Sequence, residues 1–454
     1  MSTPFPTVAD YAAAYRAKRT TPSAVAERAL AAIEAFDRQD PPMRLFIAVH
    51  ADDVRAQAAD STRRLAAGQP RSILEGVPVA VKDEFDVVGY QTTCGTSFLG
   101  RVPATKDALV VARLRAAGAV ILGKTNMFEL GVNPSGLNLT HGTARNPYDP
   151  LRDTGGSSSG SGAVVASGLC PITLGNDGGG SVRIPAALCG VSGLKATFDR
   201  VPTDGVSLLC WSLEHSGPLG ATVEDVRLAA EIVCDEKFTL PSLPSPLRVG
   251  ICAAWWHDAD AEVSAQVRAA IERLGATIVD VDLPHIGYAT PVGSCTFLAE
   301  GAACLEPHLA ANAPFSPSVR LAFEAARGVS APAFVKAQRV RALLAREFEA
   351  ALGHCDVLIT PTTAITAPPY QADALAHGEI DEAKVNALVH FTFPLNLTGL
   401  PAMQVPCGYD PDGMPVGMQI IGRFGDDALT LAVASAVEKS SPRRRPRVFV
   451  DLLG

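Results

Sequence analysis

Two serines stand on glycine-rich loops within one short stretch, TGGSSSGSGAVVASGLCPITLGNDGGGSVR from Thr154 to Arg183, and a single lysine far upstream ends an apolar run. That lysine is Lys82 in GVPVAVKD, Gly76 to Asp83. Lysine is seldom taken inside a protein without a partner or a task. A serine hydroxyl is a weak nucleophile at neutral pH and needs a base within reach. Lys82, Ser157 and Ser181 together provide a base, a relay and a nucleophile. Residues without Cβ let successive N–H groups converge on one oxygen, so Gly178, Gly179, Gly180 and Ser181 offer an oxyanion hole. Lys82 would take a proton from Ser157 as Ser157 takes one from Ser181, and the relay would reverse to protonate a leaving amine. This is a serine hydrolase scheme without histidine. An ordinary lysine, with a pKa of about 10.4, is charged at neutral pH, so the scheme requires burial to favour the neutral amine. Asp177 and Arg183 flank the nucleophile with opposite charges and are expected to pair and fix the loop rather than react.

Other matches fail in their context. Gly118 to Thr125 fits the phosphate-loop pattern GxxxxGK[ST], but the four residues between the glycines are apolar and build a strand, not a loop with free amides. Gly156 to Gly160 fits the GxSxG elbow, yet NPYDPLRDT precedes it where a buried strand is needed. Ser192 to Lys195 fits SxxK without the companion SDN and KTG triplets. The nine histidines show no metal-ligand spacing, so no metal site is expected; His141, before the serine segment, is the one placed near the chemistry. A flexible linker is the other reading of the Gly-Ser run. The apolar AVVASG that follows at once argues against it.

These residues need elements to hold them. The first 75 residues read as helices, one of them capped at Thr21 with Pro22 at its first position. From Val77 short β-rich runs alternate with helices: VPVAV, a helix after Thr105 that stops at Gly118, then AVILG. Such alternation predicts a large mixed sheet with helices on both faces. The stretch 76–240 holds the chemistry, and a Pro-Ser joint at 241–246 precedes a second alternating run with LRVGIC, a helix over 262–274 and ATIVDVDL. Residues 285–352 read as a helical cover inserted into the same domain. DVLITP returns to strand, two further strands flank the turn Asp410 to Gly413, and a last helix covers 427–439. The expected architecture is one α/β domain over 1–454.

With 454 residues, 47% hydrophobic and 19% charged, the chain can bury a large core. A net charge of −8 argues against nucleic acid or an anionic membrane surface as partner. The ten cysteines are scattered singly, as buried hydrophobes in a reducing compartment would be. No run reaches the length of a membrane span and the start lacks a leader's apolar region, so a cytoplasmic protein is expected.

The stretches GVPVAVKDEFDV, ILGKTNMFELG, TARNPYDPLRDTGGSSSGSGAVVASG, LGNDGGGSVRIPAALCGVSGLKAT, DVLITPTT and LPAMQVPCGYDPDGMPVGMQIIG resemble, in order and spacing, the amidase signature family. Within it the chain looks closest to fatty-acid-amide-hydrolase-like and bacterial acyl-amide or carbamate hydrolases. The resemblance implies Ser181 as nucleophile, Ser157, 24 positions earlier, as bridging serine after a cis peptide bond at Gly156, and Lys82 as base. It also implies that Ser158 helps hold the lysine amine. The family often carries threonine or serine where this chain has Asn176, and a bulkier residue where it has Gly178. A looser loop is expected from that change. The implied substrate is a small-molecule amide. Carbamate or urea hydrolysis, glutamine hydrolysis within an amidotransferase, and a non-catalytic relative are the alternatives. No cofactor is implied, and a homodimer is left open. Met127, Phe128, Leu130, Gly131, Val132 and Trp211 are expected to bind an aryl or alkyl group.

Overall fold

The computed structural model describes residues 4–454. Among them, eleven strands form one sheet: β1 (Phe46–Ala48), β2 (Pro78–Lys82), β3 (Val120–Thr125), β4 (Ile172–Asp177), β5 (Ser192–Lys195), β6 (His215–Gly220), β7 (Arg248–Ile251), β8 (Thr277–Asp280), β9 (Val357–Pro361), β10 (Ala402–Tyr409) and β11 (Pro415–Ile421). Their order across the sheet is β1-β3-β2-β4-β6-β5-β10-β11-β9-β7-β8. β2 runs parallel to both β3 and β4, and β7 runs parallel to β8 and β9, while the remaining pairs are antiparallel. The sheet is therefore mixed, as the alternation predicts.

Every residue of β2, β3, β4, β6, β10 and β11 is buried. Successive side chains in a strand point to opposite faces, so full burial means that both faces are covered. The GxxxxGK[ST] match lies in one of these strands: β3 is continuous through Gly123 and Lys124, and Lys124 is spent on a buried ion pair with Asp83, Nζ to Oδ1 3.0 Å.

The first 75 residues hold one feature beyond helices. β1 interrupts them and pairs antiparallel with β3, adding an edge strand. The helix Pro22–Asp37 starts where its cap and proline predict, with the Thr21 hydroxyl accepting from the Ala24 N–H at 3.2 Å. Helices Ala289–Ala310, Pro317–Ala326 and Ala331–Gly353 form the cover. Three more, Ala372–His377, Glu382–Val389 and Phe393–Thr398, lie between β9 and β10. Among the described residues no helix is long and apolar enough to cross a membrane. Seven of the ten cysteines are buried as expected; Cys304 is exposed, and Cys234 and Cys295 are half-buried.

Candidate active site

Two neighbouring parallel strands end beside each other and carry the residues expected to react. Lys82 is the last residue of β2 and Asp177 the last of β4, and the strands pair through Val79–Ile172 and Val81–Leu174. Loops at the carboxyl ends of parallel strands are where such sheets hold their ligands. The loop Gly178 to Val182 follows β4 and leads into the helix Arg183–Leu188, while Ser157 and Ser158 precede the helix Ser159–Ala166. The Gly156–Ser157 peptide is cis.

The lysine side chain is 1% exposed. Its Nζ donates to Ser157 Oγ at 2.8 Å and to the Asn176 carbonyl at 3.4 Å, and lies 3.0 Å from Glu84 Oε2. The loop carrying Ser181 is tied to the same place, because the Ser158 N–H donates to the Ser181 carbonyl at 3.3 Å. That backbone bond holds the two serine loops together over the lysine. An amine 2.8 Å from a hydroxyl can exchange a proton with it. Ser158, expected to help hold the lysine amine, makes no direct hydrogen bond to it among the described residues. Its hydroxyl donates to the Asn176 carbonyl at 3.3 Å, so the two side chains meet only through that oxygen.

Of the amides expected to form the oxyanion hole, that of Gly180 is already committed, donating to Asp177 Oδ1 at 2.7 Å. This leaves Gly178, Gly179 and Ser181. Asp177 and Arg183 pair as expected, through Nη2 to Oδ1 at 2.9 Å and Nε to Oδ2 at 3.0 Å, and both are fully buried. Burial alone would raise the Asp177 carboxyl, but the Arg183 guanidinium and the Asn396 amide outweigh it and hold the group well below the usual carboxylate range.

At the two positions where a looser loop is expected, Asn176 and Gly178, the structure shows close neighbours. Asn176 Nδ2 donates to Glu214 Oε2 at 2.7 Å, and a Cβ on Gly178 would stand 2.9 Å from Phe297. An amide clamp thus holds Asn176, and a cover phenylalanine stands where a side chain on residue 178 would go. Burial first, and the Glu84 carboxylate second, push the Glu214 carboxyl above its ordinary range.

Ser181 lines a cleft of about 300 Å³. Gly131, Val132, Gly179 and Ile184 line its base, Phe297 and Leu298 come from the cover, and Val385, Val389 and Phe393 from the helices before β10. Gly131 and Val132 are thus where the sequence expects them. Met127, Phe128 and Leu130 are not; they are buried in the packing beneath the loop, where apolar side chains gain most. Trp211 is 57% exposed and belongs to a separate hollow with Phe198, Thr203 and Glu214. The His141 ring makes only long contacts with Thr93 and Thr96, while its backbone N–H donates to Asn138 Oδ1 at 2.8 Å. Among the described residues no cluster of three or more His, Cys, Asp or Glu could hold a metal ion.

Sequence reasoning missed Glu84, Glu214 and Phe297. Glu84 stands in KDE, two residues after the lysine, and is the one with a readable signal. The other two reach the site only through the chain's return from distant elements.

The family model for amidases matches residues 25–431. The chain is 39% identical to a fatty acid amide hydrolase of Medicago truncatula, over 98% of this chain and 78% of that protein. It is 37% identical to a glutamyl-tRNA(Gln) amidotransferase subunit from Anaeromyxobacter dehalogenans, over 93% of this chain and 94% of the relative. A crystal structure of an amidase superposes with a TM-score of 0.89 at 32% identity, covering 96% of this chain and 100% of the other. Family model, relatives and fold agree over nearly the whole chain, and this protein belongs to the amidase family as an amide-hydrolysing enzyme.

Proposed function

We propose that the enzyme cleaves the C–N bond of small-to-medium aryl or alkyl amides through an acyl-enzyme on Ser181. The observation that carries this reading is the buried contact of Lys82 Nζ with Ser157 Oγ at 2.8 Å, tied by the Ser158 N–H to the carbonyl of Ser181, which lines the cleft. Lys82 is the base and Ser157 the relay. The Ser181 oxygen attacks the carbonyl carbon, and the amides of Gly178, Gly179 and Ser181 receive the charge that develops on oxygen. The relay then delivers the proton to the leaving nitrogen, and water releases the acyl group by the same path.

The cleft favours an apolar group next to the scissile carbonyl, because Val132, Ile184, Phe297, Leu298, Val389 and Phe393 surround it. Its one charged lining residue is the carboxylate Glu382, so the α-carboxylate of glutamine has no cation to meet there. This weighs against a glutamine-hydrolysing role. An aryl carbamate would call on the same residues and serves as a comparison.

The test is hydrolysis of glutamine, short and long acyl anilides and an aryl carbamate by wild type, Ser181→Ala and Lys82→Ala. Aniline release that disappears in both folded variants is expected, with glutamine untouched. Near-normal turnover in either variant would sink the mechanism.

A further inference from the structure

Lys82 Nζ has three acceptors around it: Ser157 Oγ, Glu84 Oε2 and the Asn176 carbonyl. An ammonium group has three donors and no lone pair. Two of the three acceptors take hydrogen bonds from Nζ and Glu84 Oε2 faces it as an ion-pair partner at 3.0 Å, surroundings that suit the charged lysine, whereas the proposed reaction needs an unprotonated nitrogen turned toward Ser157. One of the three acceptors can take a proton and keep it. We infer that Glu84 is a positioning residue that receives a proton from Lys82, so that the buried Lys82–Glu84 pair itself supplies the neutral amine; this rests on the reading of Lys82 as the base.

The surroundings of Glu84 favour that transfer. Its side chain is 6% exposed, and Oε2 has no hydrogen-bond partner among the described residues apart from its contact with Nζ. Asp83 is its chain neighbour, and the charge of Lys124 is answered by Asp83, so Lys82 is the cation left to Glu84. Glu214 stands on the far side and is pushed upward by burial and by Glu84, so the two acids resist carrying two negative charges. The Cys94 thiol, raised by burial and then by Glu84 and Asp83, stays protonated and contributes no charge. Lys82, Glu214 and the neutral Cys94 thiol are thus the groups that bear on this carboxylate, with the Asp83–Lys124 pair answered within itself.

The proton balance closes. An N–H bond of the ammonium breaks and an O–H bond forms on Glu84, leaving a neutral amine and a neutral acid with no change in net charge. The amine accepts the Ser157 proton while Ser157 accepts that of Ser181, whose oxygen bonds to the carbonyl carbon. The proton returns through Ser157 to the leaving nitrogen as the C–N bond breaks. Water then repeats the cycle on the acyl-enzyme, and Glu84 gives its proton back to Lys82 when the carboxylic acid leaves.

Because the transfer stays inside the pair, the reactive fraction does not depend on pH while the pair holds one proton. With glutamine in place of Glu84 the amine has to lose its proton to solvent. The experiment measures kcat and KM against pH on an acyl anilide for wild type and Glu84→Gln, with Lys82→Ala and Ser181→Ala alongside. Wild-type kcat is expected to vary by no more than about twofold between about pH 6 and 9, while Glu84→Gln loses roughly tenfold per pH unit below its midpoint. KM is expected to stay within about threefold, since Glu84 does not line the cleft. A Glu84→Gln profile parallel to wild type, at whatever level, overturns the inference. So does a tenfold-per-unit acid limb across neutral pH in the wild type, a result that needs no variant to fold. Turnover surviving in Lys82→Ala or Ser181→Ala instead overturns the catalytic reading and this inference with it.

Discussion

Arg183 is the largest charged side chain wholly buried among the described residues, two positions after Ser181, and its five donors are spread over four partners. Besides Asp177 it donates to Asn396 Oδ1 at 2.7 Å, Gln419 Oε1 at 2.7 Å and the Thr392 carbonyl at 2.9 Å. One residue thereby joins the Ser181 loop to the helix Phe393–Thr398 and to β11. Removing one partner of a buried pair leaves the other charge unanswered, at a cost of about 3–5 kcal/mol. Arg183→Ala is therefore expected to lower the thermal midpoint by several degrees and to reduce soluble yield, which melting curves on purified protein would check. The Asp177 carboxyl lies below its unfolded value, so its contribution is present above the unfolded pKa of about 3.9 and is lost only as the pH falls through the lower folded value. Loss of this contribution belongs to strong acid, outside the neutral range. At this scale KDE divides its labour by alternation: Lys82 turns to Ser157, Asp83 to Lys124, and Glu84 back to Lys82.

The elements place these residues through their ends. β2 and β4 stop side by side, and the helices that follow the two serine segments begin at once, so short loops have little freedom to wander. Glu129 adds a tie from the loop after β3 to the cover, accepting from the Ser316 N–H at 3.1 Å just before the helix Pro317–Ala326. At the opposite end of the chain, Asp225 docks the first helix, Val8–Arg16. Its Oδ1 accepts from the Val8 N–H at 2.9 Å and its Oδ2 from the Thr222 hydroxyl at 2.7 Å, inside the first turn of the helix Val223–Cys234. Burial pushes this carboxyl up to about 7. A raised folded value means stability that is fully present below the unfolded pKa of about 3.9 and is lost as the pH rises through about 7. Asp225→Asn should therefore melt roughly 2–4 °C above wild type at about pH 8, and the gap should close toward about pH 5. A gap that is constant with pH would exclude this origin.

Across the whole molecule, the cleft is made where the sheet's loops meet two separate sets of helices, one from the inserted cover and one from the stretch before β10. Phe297 spans that junction, lining the cleft and packing on Gly178. Phe297→Ala is expected to open the cleft and shift preference toward longer acyl chains, with kcat/KM for a long-chain anilide rising at least about threefold relative to a short one; a removed aromatic ring is worth several such factors in a pocket. A parallel measurement of both substrates in the variant checks it, and an unchanged ratio would remove Phe297 from specificity. Much of this protein was legible in one dimension. The strand-like run before Lys82, the two serine loops, the alternation of strand and helix and the hairpin at Asp410 to Gly413 are local patterns, and local backbone preference forms them as read. The opposite charges of Asp177 and Arg183 are six residues apart, near enough for their pairing to be anticipated. The cleft walls were not legible, since Met127, Phe128, Leu130 and Trp211 have the same apolar character as Phe297, Val389 and Phe393, and character does not say which side chain faces a cavity. Sequence by itself determined the candidate groups and the strands and turns that carry them, because those depend on neighbours along the chain. Tertiary structure alone decided that Glu214 clamps Asn176, that Gly180's amide is spent on Asp177, and that distant helices close the cleft, because each depends on how far-apart segments return to one place.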